Sequence, residues 1–182
     1  PADHPDTLSA RGAVASSANS LGDLDRALAL NESVLRALES RLPKDDPRVL
    51  HKRRTVAVTL ALMGDLPRAR ALVESVVEVY TKTLHEDHPE SLRARSQLAS
   101  LLRRSGDMQR ARDLFESVVE SHERTQPDDH PLVLMERGNL AAVLKDLGHL
   151  SIARAMQESI VAAYEKNPTS RGGSPLIARL NL

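Results

Sequence analysis

Self-similarity at a fixed spacing constrains this chain more than any other feature. Arginine recurs at Arg11, Arg53, Arg95, Arg137 and Arg179, always 42 residues apart. Glycine keeps the same period at Gly22, Gly64, Gly106 and Gly148, and alanine at Ala27, Ala69, Ala111 and Ala153. The pair Glu-Ser repeats at Glu32-Ser33, Glu74-Ser75, Glu116-Ser117 and Glu158-Ser159. Pro5, Pro47, Pro89 and Pro131 open units 5–46, 47–88, 89–130 and 131–172. A fifth unit is expected to start at 173 and to be cut short at 182, because Ala178 to Leu182 repeat the spacing of Glu136 to Leu140. Pro1 to His4 read like the end of a preceding unit, so the 182 residues are expected to be one array taken from a longer protein. A period of this length means stacked supersecondary units, each burying a face against the next.

Each unit reads as two helices, 47–63 and about 66–84 in the second. Proline suits the first helical position, where its missing N–H would be unpaired anyway. The recurring glycine stands where a helix ends in a left-handed residue. Asp23, Asp65 and Asp107 follow it as N-caps of the next helix, and His149 in the fourth unit should cap more weakly. On a helical wheel, offsets 3, 9, 10, 13 and 16 from the proline are mostly aliphatic and share one arc. In the second unit these are Leu50, Val56, Ala57, Leu60 and Met63. Offsets 4, 7, 8, 11, 14 and 15 vary between units and occupy the opposite arc.

Composition removes several alternatives. The chain has no cysteine, which excludes disulfides, thiol nucleophiles and cysteine-ligated zinc. Only Tyr80, Phe115 and Tyr164 are aromatic, too few for a propeller or a base-stacking surface. Lys and Arg equal Asp and Glu at 25 each, so the footprint of a general nucleic-acid binder is missing. No apolar run approaches the ~18–20 residues of a membrane span. No nucleic-acid or membrane partner is expected, and the cytoplasm is the expected compartment.

On the string Val56-Ala57, Gly64, Ala69 and its copy Leu98-Ala99, Gly106, Ala111, the chain resembles the tetratricopeptide repeats of kinesin-light-chain type. The boundary His88-Pro89-Glu90-Ser91-Leu92 resembles that family's inter-repeat loop. The resemblance implies an all-α, right-handed superhelical solenoid of antiparallel helix pairs. Departures are the recurring Arg in place of an aromatic, and Ala18, Leu60, Leu102 and Leu144 in place of a tyrosine. The proline that usually closes the second helix is absent, so that helix should run longer. Arg in this slot is similar to repeats appended to bacterial signalling ATPases and related regulators.

No phosphate-cradling glycine loop or dinucleotide fingerprint occurs, so neither a cofactor nor an enzymatic activity is expected. His85-Glu86-Asp87-His88 is the one metal-like string, but His4 and His130 stand at the same boundary, which favours a role in starting helices over metal binding. The Arg column reads as architecture, since a recognition site needs different residues in different units. Its expected partner is the Glu column 21 residues on: Arg11 with Glu32, Arg53 with Glu74, and so forward. The Ser column reads as helix packing, since no histidine recurs beside it to activate a hydroxyl.

The variable arc carries the candidate site. In units two to four it holds His51, Arg54, Arg93, Gln97, Arg103, Arg104, Asn139 and Lys145, with Asp146 the one acid. In unit one the same positions are Ser9, Gly12, Ala13, Ser16, Asn19 and Ser20, small and uncharged. The resemblance implies that this face lines a concave peptide groove, with Asn139 and Asn181 at a position where groove asparagines hold a peptide backbone. A solvated basic face is the alternative. The expected function is a non-catalytic protein–protein interaction scaffold that binds an acidic peptide, or docks on other domains of its own full-length chain. The competing reading is a regulatory or oligomerisation arm of a larger signalling enzyme.

Overall fold

A computed structural model of the chain describes residues 4–166. Eight helices follow one another: α1 (Pro5–Leu21), α2 (Leu24–Glu39), α3 (Pro47–Met63), α4 (Leu66–Thr83), α5 (Pro89–Arg104), α6 (Met108–Thr125), α7 (Pro131–Asp146) and α8 (Leu150–Lys166). Among the described residues there is no strand. The expected fifth unit, with Ile177, Arg179 and Leu180, lies outside them. The chain divides into two compact units, one holding α1–α4 and the other α5–α8. In the first, α1 packs on α2, α2 on α3 and α3 on α4; in the second, α5 to α8 follow the same order, and α5 also touches α7.

Each hairpin turns on its glycine. Gly22, Gly64, Gly106 and Gly148 have φ between 79° and 87°, the left-handed region that a side chain disfavours. The next N–H then reaches back to the last turn: Asp23 to the Ala18 carbonyl, Asp65 to Leu60, Asp107 to Leu102 and His149 to Leu144, at 2.8–2.9 Å. These bonds satisfy carbonyls the helix would leave open. Asp23 and Asp65 cap as expected, accepting from the N–H of Arg26 and Arg68. Asp107 does not: no backbone N–H donates to its carboxylate, which instead pairs with the Arg110 side chain at 3.4 Å.

The repeat boundaries use histidine as a cap. The Nδ1 atoms of His4, His88 and His130 accept from the N–H two residues on, at 3.2–3.3 Å, and Asp46 does the same for Arg48 at 2.9 Å. The helix-start reading of these histidines holds.

The packed arc is broader than the wheel implied. Leu50, Val56, Ala57 and Leu60 are buried, but Met63 is exposed. It is the last residue before Gly64, at the end of its helix. Offsets 2 and 12 are buried as well, at Val49, Ser91, Val133, Thr59, Leu101 and Val143. α3 packs on two neighbours, its own partner α4 and the preceding α2, and α7 does the same with α8 and α6. Two partners need a wider apolar stripe than one.

Candidate functional site

The side chains of the variable arc sit on the first helices of the hairpins. In the first unit His51 is exposed and Arg54 half-buried on α3. Beneath them the hairpin contact is polar. Asn31 of α2 is buried and its Oδ1 accepts from Lys52 Nζ at 3.3 Å. Its amide nitrogen and that of Asn19 both donate to Thr59 Oγ1, at 3.4 and 3.0 Å. Burial pushes the Lys52 ammonium below its ordinary value, since the charge has exchanged water for protein.

In the second unit Arg93 and Arg104 are exposed on α5, with Gln97 and Arg103 half-buried; Asn139 is half-buried and Lys145 exposed on α7. α5 and α7 are tied at two levels. Arg103 Nε donates to Asp146 Oδ2 at 2.7 Å. About two to three helical turns away, the buried Glu136 accepts from Ser96 Oγ of α5 at 2.9 Å and from Asn139 Nδ2 at 3.0 Å, both on Oε2. Arg93 donates to Glu90 one turn earlier. The excess of positive charge along the arc is smaller than the sequence implied, because Arg93 holds Glu90, an acid outside the count, while Arg103 holds the Asp146 already in it. Of the nine candidate residues, four lie on α5 and two on α7, His51 and Arg54 share α3, and Asn181 lies outside the described residues.

Sequence reasoning missed Lys52, Asn31, Ser96 and Glu136. The available signal was a mismatch of type. Lys52 and Glu136 occupy one register position that is alanine at Ala10 and Ala94, at the border of the packed arc.

Among the described residues Arg53, Arg95 and Arg137 of the Arg column have partners, but not in the Glu column. Arg53 donates through two nitrogens to Glu39, at 2.8–2.9 Å, and Arg137 pairs with Glu123 and Asp128 at 2.7 and 2.9 Å. Arg95 reaches the Glu86 carbonyl at 3.4 Å. These partners belong to the end of the preceding second helix or to the loop after it. The recurring glutamates are held elsewhere: Glu74, Glu116 and Glu158 by the arginine four residues earlier, Glu32 by Arg68 of α4 and by Arg36. The expected ladder is thus corrected. Position six of the first helix faces backward along the chain, whereas the Glu column sits mid-way along its own second helix.

The remaining motifs are structural. Ser33, Ser75 and Ser159 each donate to the carbonyl three residues earlier at 2.7–2.8 Å, within their own helix. In the string 85–88, Asp87 and Glu86 hold Arg124 of α6 at 2.6 and 3.1 Å. The Arg124 hydrogen bond keeps the Asp87 carboxyl below the usual carboxylate range. Among the described residues no group of three or more His, Asp or Glu is placed to hold a metal ion. Nor is any described helix long and apolar enough to cross a membrane.

Comparison with known proteins agrees with this geometry. Solved structures align along most of the chain. A kinesin light chain protein of Podosopora anserina, described as having nearly identical TPR-like repeats, superposes with a TM-score of 0.83 at 28% identity, covering 96% of this chain and 83% of its own. BtubC of P. vanneervenii reaches 0.78 at 17% identity, over 94% and 68%. A Rap protein crystallised with Competence and Sporulation Factor reaches 0.70 at 12%, over 86% and 42%, a likeness of fold alone. No curated protein matches the sequence significantly. The tetratricopeptide repeat profile matches residues 48–124 and 92–166, the first stretch starting one residue after Pro47 and the second ending with α8. With hairpins, left-handed glycine turns and family profile in agreement over most of its length, the chain belongs to the tetratricopeptide repeat family.

Proposed function

We propose that this repeat protein is a non-catalytic scaffold in the cytoplasm that holds an extended acidic segment of a partner along the first-helix face. That segment lies on Arg93, Gln97, Arg103, Arg104, Asn139 and Lys145 of the second unit, while His51 and Arg54 of the first unit form a candidate surface of their own. The observation that supports this reading best is the anchoring of Asn139. Its Nδ2 is committed to the buried Glu136, which leaves its Oδ1 to accept a backbone N–H from a ligand. The cationic side chains around it supply charge-assisted bonds to carboxylates. Peptide capture is the kind of task repeat scaffolds do with a broad face, and the Rap protein was crystallised with its factor bound.

Fluorescence anisotropy with a labelled Glu/Leu peptide tests this reading. Arg103→Ala with Arg104→Ala should weaken binding, by roughly 10- to 100-fold for each contact that is desolvated and less for wet ones. Binding should also loosen between low salt and ~0.15 M salt. A Lys/Leu peptide should bind poorly. Equal affinity for both peptides, or indifference to salt, refutes the acidic-ligand reading.

A further inference from the structure

The first unit carries a groove away from the first-helix face. It runs between α2 and α4, encloses about 920 Å³, and has Leu35, Val56, Leu72 and Val79 among its lining. Five cations and three carboxylates rim it. Glu32 and Glu39 are already engaged by Arg68 and Arg53, and Glu78 by Lys82. Arg36 shares Glu32 at 3.6 Å, and Lys44, exposed in the loop after α2, has no carboxylate in ion-pair reach among the described residues. The groove is therefore apolar at its base and positive at its edge.

The repeat period locates the same positions on α6 and α8, 84 residues on, and the chemistry is reversed there. Arg36 becomes Glu120, Lys44 becomes Asp128, and Arg68 becomes Ile152. All three are exposed, Ile152 at 54% and the Asp128 side chain at 85%, with one Asp128 oxygen on Arg137 at 2.9 Å. This is not an effect of packing, since the Arg26, Arg68 and Arg110 counterparts of Ile152 are exposed too. A branched aliphatic side chain, with carboxylates at the repeat positions that rim the first groove with cations, suits an apolar groove of positive edge. Two homologous surfaces of one chain with opposite charge favour association between copies over repulsion.

We propose that the α2–α4 groove of one molecule receives the α6–α8 surface of a second copy, with Ile152 on the half-buried Leu72 and Val79, and Glu120 and Asp128 against Arg36 and Lys44. The two surfaces differ, so the contact is heterologous, and copies add head to tail.

Sedimentation velocity of the full chain tests the proposal, with circular dichroism to confirm helix content. The natural chain should associate with concentration at ~20 mM salt and dissociate toward monomer at ~0.5 M. Arg36→Glu with Lys44→Asp makes both surfaces acidic, and Glu120→Arg with Asp128→Lys makes both basic. Each double variant should self-associate at least ~10-fold more weakly, yet an equimolar mixture of the two should associate. Ile152→Asp should weaken association in the natural background. A monomer at every salt and concentration up to ~0.5 mM overturns the proposal, a limit at which even contacts of ~4–5 kcal/mol show. So does association that the charge reversals leave unchanged, or a mixture in which both folded variants stay monomeric.

Discussion

Replacing Glu136 by alanine tests how far the α5–α7 face depends on its buried carboxyl. Glu136 is only 3% exposed, and a single oxygen accepts from Ser96 on α5 and from Asn139 on its own helix. Alanine removes the shared acceptor and one methylene. Two hydrogen bonds at about 0.5–1.5 kcal/mol each, plus about 0.8 kcal/mol for the methylene, give a gross loss of about 2–4 kcal/mol. Ser96 and Asn139 are half-buried, so water recovers part of their bonding, and a net cost of about 2–3 kcal/mol is expected. Glu136→Met should cost less than about 1 kcal/mol, because an apolar side chain of similar volume keeps the packing and asks for no donor. Urea denaturation followed at 222 nm measures both. Hydrogen exchange should place the Glu136→Ala weakening in α5 and α7 first, since repeat units open locally. An alanine variant within about 0.5 kcal/mol of the natural chain, or a methionine variant as damaged as the alanine one, refutes the argument.

Two further outcomes rest on single positions. Burial lowers the pKa of His122 from the ordinary 6.5, while Glu136 and Asp87 oppose that shift and His130 adds to it. The folded state then binds fewer protons than the unfolded one, so stability should rise with pH through the window that ends near 6.5 and fall on acidification across it. His122→Gln should flatten that slope in melts taken at pH 5, 6 and 7, about the range where histidine titrates, and an unchanged slope refutes the assignment. Gly64→Ala meets no atom within 4 Å, yet places a side chain at φ +87°. It should cost about 1–2 kcal/mol through backbone strain alone, and a variant as stable as the natural chain would show that the turn relaxes.

Most of the fold was legible because its determinants are local and repeated. Prolines at 5, 47, 89 and 131 start helices, and glycines at 22, 64, 106 and 148 end hairpin arms in the left-handed region, both backbone constraints carried by one residue. Contacts between side chains of different helices were harder to read. A period of 42 says that Arg53 and Arg137 share an environment, but not whether that environment lies before or after them in the chain. Their carboxylates prove to be Glu39 and Glu123, fourteen residues earlier. The corresponding position before Arg95 is Thr81, so this acid forms no column, and the periodic search selected the glutamates that do.

The candidate site shows the same limit from the other side. Offsets on a wheel placed Arg93, Arg103 and Lys145 on a non-packing arc, and the structure leaves them half-buried or exposed there. What the wheel could not register is neutralisation across helices, such as Arg103 on Asp146, 43 residues away in sequence. A formal count over one arc treats every charge as free. The potential of this face is set instead by which pairs close, and the Arg103 pair closes between α5 and α7. On the proposed acidic-segment reading, a ligand carboxylate competes with Asp146 for Arg103. Asp146→Asn removes that competitor, and should tighten binding of an acidic peptide if Arg103 is a contact, while leaving binding unchanged if the ligand rests on Asn139 and Arg93 alone.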